Sequence, residues 1–136
     1  MTARHIVALR WLAATLFIVA GVSHFFATDL FASTVPPSFP APRLLVQISG
    51  AAEIVGGVGL LVPALRRAAG WGLILLLIAV FPAHIQTATH PQNYAHLGLP
   101  TWVFWVRMPF QLLFIAWVWY VSLRHPLTPP TPSSRS

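Results

Sequence analysis

The sequence predicts an all-α integral membrane protein, a bundle of four transmembrane helices. Three observations carry this. More than half of the 136 residues are apolar and only 7% are charged, against about a quarter in ordinary soluble domains. Four apolar stretches are each long enough to cross a hydrocarbon core, which takes roughly 20 helical residues. The stretches are continuously apolar, without the alternation that a membrane strand would show.

The first predicted helix covers about residues 6–27. Arg4 and Arg10 ahead of an apolar run also resemble the start of a signal peptide. The run is long for that, and His24-Phe25 occupy the place of a small-residue cleavage site, so a retained helix is expected. Residues 34–42 contain four prolines and predict a stiff, extended crossing, because proline removes helical donors and clashes with the preceding turn. The second helix is expected over about 44–61 and the third over about 68–89, with Arg66-Arg67 marking a tight turn between them. A polar loop with two prolines follows over 90–100, then a fourth helix over about 102–123. Residues 1–124 thus form one membrane domain. Residues 125–136 form a Pro/Ser/Thr-rich tail expected to be disordered.

All eight basic residues are arginines, and their distribution sets the expected orientation. With both termini in the cytoplasm, Arg4, Arg10, Arg66, Arg67, Arg124 and Arg135 fall on that side, and only Arg43 and Arg107 on the other. The bacterial inner membrane is the expected location, with the proline-containing loops facing the periplasm. Arg10 is expected to snorkel to the cytoplasmic headgroups. The net charge of +6 does not argue for nucleic acid, because the arginines form no dense stripe. The absence of cysteine excludes disulfides, thiolate nucleophiles and thiolate metal sites.

Polar side chains inside the spans cost free energy unless partnered, and so mark candidate sites. Glu53 lies near the middle of the second helix. It shares a stripe with Gln47, Gly50 and Gly57, with Gly56 and Gly59 nearby. Small residues let another helix approach closely, so Glu53 is expected to face the bundle interior. Arg107 and Gln111 are one turn apart on the fourth helix and flank Pro109. His84 follows Pro82, which frees the carbonyl of Ile78, and His24 follows Gly21. Because the helices alternate in direction, His24, His84, Arg107 and Gln111 are expected in the outer half, with Glu53 just beneath. The competing expectation is a Glu53–Arg107 ion pair that fixes packing and binds nothing. A zinc site from His24, His84 and Glu53 has suitable donors but no short ligand spacing, so no metal is expected.

The order Gly21-x-x-His24-Phe25, Val35-Pro36-Pro37 with Pro40, and Ser49-Gly50-x-x-Glu53-Ile54 with Gly57 resembles the DoxX-like membrane proteins. So do Gly59-Leu60-Leu61 with Pro63, then Val80-Phe81-Pro82-Ala83-His84, and Arg107-x-Pro109-x-Gln111. The likeness runs from about Gly21 to Trp117. It implies a four-helix membrane bundle. That family is named for a subunit linked to quinone-coupled sulfur oxidation. Other members are associated with redox stress, and distant relatives act as membrane chaperones or transport factors. The family often carries Asn at the position of His84, which implies that histidine there is not a general requirement.

Two functions are expected from these features. The first is a site for a lipophilic small molecule such as a quinone in the outer half of the bundle, within a membrane redox system. There Arg107, Gln111, His84 and His24 would donate to carbonyl oxygens and Glu53 would relay a proton. No covalent cofactor is expected, because no flavin, haem or nicotinamide motif is present. A catalytic subunit would then be separate. The alternative is a non-enzymatic accessory or assembly subunit, packing its glycine face on another membrane protein or on a second copy of itself.

Overall fold

The computed structural model describes residues 2–124. The tail expected to be disordered, 125–136, lies outside the described residues. Within them every regular element is helical. Helices α1 (Ala3–Phe26), α3 (Pro42–Leu61), α4 (Arg66–Thr89) and α5 (Thr101–Trp119) form the bundle, and α2 (Thr28–Ala32) is a short turn of helix after α1. A 3-10 segment, Pro91–Leu97, joins α4 to α5, and α5 ends in a π-type turn, Tyr120–Arg124. Four segments, with α5 counted through Arg124, are long and apolar enough to cross a membrane. The architecture is that of a multi-pass membrane protein.

The bundle is apolar outside as well as inside. Trp11, Val19, Phe26, Val55, Leu75, Leu112 and many other large apolar side chains are exposed. In water such a surface would drive aggregation; in a bilayer it faces solvent of its own kind. The interior core is small. Ala13, Ala14, Phe17, Leu60, Leu73, Ile74, Leu77 and Val118 form it, with Phe114 edge-on to Phe17 at a centroid distance of 6.1 Å.

Glycines set the helix spacing. A Cβ on Gly21 of α1 would lie 2.5 Å from the Gly50 carbonyl oxygen of α3, and one on Gly50 would lie 2.7 Å from the His24 Cβ. Gly57 meets the Ala14 carbonyl in the same way. The backbones of α1 and α3 therefore touch. Gly56 and Gly59, on another face of α3, receive Leu73 and Ala69 of α4. The glycine face that the sequence left open to a partner protein is consumed inside the chain.

Several sequence expectations are corrected. Arg10 does not snorkel. It is 3% exposed and donates through Nε and Nη2 to the Val121 carbonyl at 3.0 and 2.8 Å. The π-type turn that contains Val121 disturbs the regular helical ladder, and an arginine satisfies a carbonyl there at a depth where water is scarce. Arg66-Arg67 do not form the turn between helices. The turn is at residues 62–65, and Arg66 begins α4 with its Nε donating to the Leu60 carbonyl at 3.0 Å. The crossing before α3 is folded into successive turns rather than extended, with the Val35 and Phe39 amides bonded to the carbonyls of Ala32 and Pro36. Ala41 then takes a left-handed conformation (φ 47°) that lets Pro42 open α3, where proline is tolerated. The loop over 90–100 is mostly the 3-10 segment. Pro82 and Pro109 stay within continuous helices.

The close crossing of α1 and α3 gives a direct test. Gly21→Ala and Gly50→Ala should each destabilise the bundle by about 1–3 kcal/mol through overpacking against backbone. Gly72, whose Cβ would meet nothing within 4 Å, should tolerate alanine and gain about 0.5–1 kcal/mol of helix propensity. Thermal denaturation in one detergent, comparing the three variants, measures both signs.

Candidate functional site

The five polar residues singled out in the spans are not one cluster. Four of them form two pairs on two different helix pairs, and Gln111 bonds to a backbone carbonyl. On α1 and α3, the His24 Nδ1 lies 3.4 Å from Glu53 Oε2, and each side chain is 14% exposed. On α4 and α5, the Arg107 Nη2 donates to His84 Nε2 at 2.8 Å, and one turn deeper Gln111 donates to the Leu77 carbonyl at 2.6 Å. The expected Glu53–Arg107 ion pair does not form. His24 and Glu53 lie within ion-pair distance, and Asp29 pairs with Arg43 at an exposed position.

The first pair is a product of the glycine crossing. Gly50 brings His24 onto α3 one turn from Glu53. The His24 Nδ1 lies 2.7 Å from the Ala20 carbonyl oxygen, which can only accept, so this nitrogen carries hydrogen. Its ring stacks on Phe31 of α2 at a centroid distance of 4.2 Å and an interplanar angle of 8°. Helix α2 thus fixes the ring plane. Glu53 Oε2 is buried and has no hydrogen-bond partner, since the contact to His24 is too long and its donor is committed to Ala20.

The second pair has the complementary deficit. Arginine offers only donors, so His84 Nε2 must be the unprotonated nitrogen of a neutral ring. The proton then sits on Nδ1, which is buried and has no hydrogen-bond partner. The site therefore holds an unsatisfied acceptor on Glu53 and an unsatisfied donor on His84.

The two atoms differ in depth. Gly56 faces Leu73 and Gly59 faces Ala69, which fixes the register of the antiparallel pair α3 and α4. By that register Glu53 is level with the Leu77–Gln111 contact, and His84 lies roughly 10 Å farther toward the proline-rich loops, at 1.5 Å per residue. Glu53 and Gln111 thus share one level, with His84 and Arg107 above it. His84 joins Arg107 instead of His24 and Glu53. Among the described residues no three His, Asp or Glu side chains converge as a metal site requires.

Above His84 and Arg107 the 3-10 segment forms a cap that the sequence did not reveal. Tyr94, 3% exposed, packs with Ala88 and Phe104, and Leu97 and Met108 border them. Its ring lies 6.4 Å from that of Phe104. Phe104 is one turn above Arg107, and Ala88 one turn above His84, so this plug closes the loop end of the pair. The only advance signal was a tyrosine in a proline-bounded loop.

The chain belongs to the family described as a domain of unknown function, DUF8561. The match covers residues 12–122, which include both pairs and the cap. No curated protein and no solved structure matches the chain.

Burial raises the pKa of the Tyr94 phenol above its ordinary value. A raised acid stabilises the fold fully below the unfolded value, about pH 10, and that contribution is lost as pH climbs through the folded value. Hydrogen exchange of residues 91–97 should therefore speed up above about pH 10 beyond its intrinsic increase. Tyr94→Phe should remove that extra acceleration. Identical profiles for the two proteins would assign it elsewhere.

Proposed function

We propose that this chain binds a lipophilic molecule with a carbonyl or hydroxyl head, best fitted by a quinone, in the proline-loop half of the bundle, and that it serves a membrane redox system. The observation that carries this reading is the pair of buried, unsatisfied atoms of opposite kind, the His84 Nδ1–H donor and the Glu53 Oε2 acceptor. Leaving a buried polar group unpaired costs about 1–3 kcal/mol, and these two, unlike the third such atom among the described residues, Trp117 Nε1 toward the other end of α5, belong to ionisable side chains within the spans. An oxidised quinone presents carbonyl acceptors, which suit His84. A reduced quinol presents hydroxyl donors and releases protons, which suit Glu53. The difference in depth favours contact with different redox states of the head over contact with its two ends at once.

In this reading Arg107 holds His84 in the tautomer that donates, and His24 with Phe31 holds the Glu53 end of the path. Gln111 pins α5 to α4 and does not touch the ligand. Electrons pass to or from a separate partner subunit. The likeness to the DoxX-like proteins points the same way. The arginine bias supports a bacterial inner membrane with both termini cytoplasmic and the candidate site nearer the periplasmic face. The accessory-subunit reading loses its chief support, because the glycines it required are buried against α1 and α4.

The test is native mass spectrometry of the full chain in mild detergent with a short-chain benzoquinone and its quinol. The wild-type chain should retain both. His84→Phe should weaken retention of the quinone about tenfold, the scale of one lost hydrogen bond, with the quinol less affected. Glu53→Leu should do the reverse. Melting temperatures of the variants, measured alongside, separate lost binding from lost folding. Retention that is absent in the wild-type chain, or unchanged in both folded variants, would falsify the reading.

A further inference from the structure

At the arginine-rich end, far from both polar pairs, Leu9 of α1 and Leu113, Ala116, Trp117 and Tyr120 of α5 and its terminal turn line an apolar groove of about 390 Å³. The groove is open along its length, which suits a chain lying in it and not an enclosed head group. Its lower border is Tyr120, the first residue of the π-type turn. Four residues on, the Arg124 guanidinium lies 5.9 Å from the Tyr120 ring and 5.8 Å from the Trp119 ring. Two aromatic faces at that range hold a cation in place. The turn itself is anchored, because Arg10 binds the Val121 carbonyl and the Ser122 hydroxyl donates to the Val118 carbonyl at 2.5 Å. A positioned cation therefore stands at the end of an apolar trough.

Among the described residues the charge around it has one sign. Arg4, Arg10, Arg66, Arg67 and Arg124 lie at this end, while the chain's two acidic side chains lie elsewhere, Asp29 on α2 and Glu53 beside His24. We propose that the groove seats one acyl chain of an anionic phospholipid, with the lipid's phosphate on Arg124. The occupant is a lipid because the trough opens sideways between two membrane-spanning helices. It is anionic because the field at the headgroup level is uniformly positive, and each arginine near an anionic headgroup adds to the attraction.

The experiment uses the full chain in mild detergent, exposed to equal amounts of phosphatidylglycerol and phosphatidylcholine with identical acyl chains, and read by native mass spectrometry. The wild-type chain should retain the anionic lipid about fivefold over the zwitterionic one, the scale expected of one arginine at a headgroup. Arg124→Gln, at an exposed position where the bundle should not suffer, should bring that ratio close to one. Ala116→Trp, which fills the trough, should release both lipids. Arg67→Gln, at the same end but outside the groove, should lower the ratio far less than Arg124→Gln does. Equal retention of the two lipids by the wild-type chain, or an equal fall for Arg67→Gln and Arg124→Gln, overturns the proposal.

Discussion

The backbone contact between α1 and α3 is the constraint on which the candidate site depends. In lipid there is no hydrophobic force to press helices together, so association rests on close packing and on polar contacts that lipid cannot supply. Gly21 and Gly50 remove the side chains that would hold the two helices apart, and Gly57 does the same near Ala14. Once the backbones touch, His24 is set against α3 within reach of Glu53. The opposite face of α3 then takes Leu73 and Ala69 of α4, which fixes the register of the second half of the bundle against the first. One helix with two glycine faces sets the relative depth of the polar pairs.

The polar side chains in the spans act mostly as donors to stray carbonyls. Arg10 reaches Val121, Arg66 reaches Leu60, Gln111 reaches Leu77 and Ser122 reaches Val118. Each satisfies a lone pair that water would satisfy in a soluble protein. A chain with eight arginines and two carboxylates can bury some of its cations this way, through backbone acceptors and not through ion pairs. Against that economy three buried atoms lack a partner among the described residues, on Glu53, His84 and Trp117, and the functional reading rests on the first two.

The two ends of the bundle have different chemistry. Toward the proline-rich loops, Arg107 and a neutral His84 are stacked under an aromatic plug that contains Tyr94. At the other end, cations surround an open apolar trough. A site for a molecule whose head changes protonation fits the sheltered end. A site for an anionic lipid fits the open, charged end. The two readings are independent, because they share no residue and are tested with different molecules.

Hydropathy alone determined the four-helix membrane architecture, because a span needs only length and apolar composition and both are written in the chain. The predicted ends fell within a few residues of the observed ones, and the special status of Glu53, His84, Arg107 and Gln111 was legible because charge and amide groups are costly in hydrocarbon. The partners were not legible. Glu53 and Arg107 look complementary in sequence, yet Arg107 meets His84 and Glu53 meets His24. Pairing depends on helix rotation and register, which for Glu53 and His24 follow from the Gly21–Gly50 crossing of α1 on α3. Arg10 shows the same limit. Its position near a helix start resembles that of a snorkelling residue, but its acceptor is 111 residues away, on a turn whose π geometry no local pattern announced. Composition decided that the chain lives in lipid; tertiary packing decided which polar groups meet there, because lipid leaves each of them no partner except the one the neighbouring helix presents.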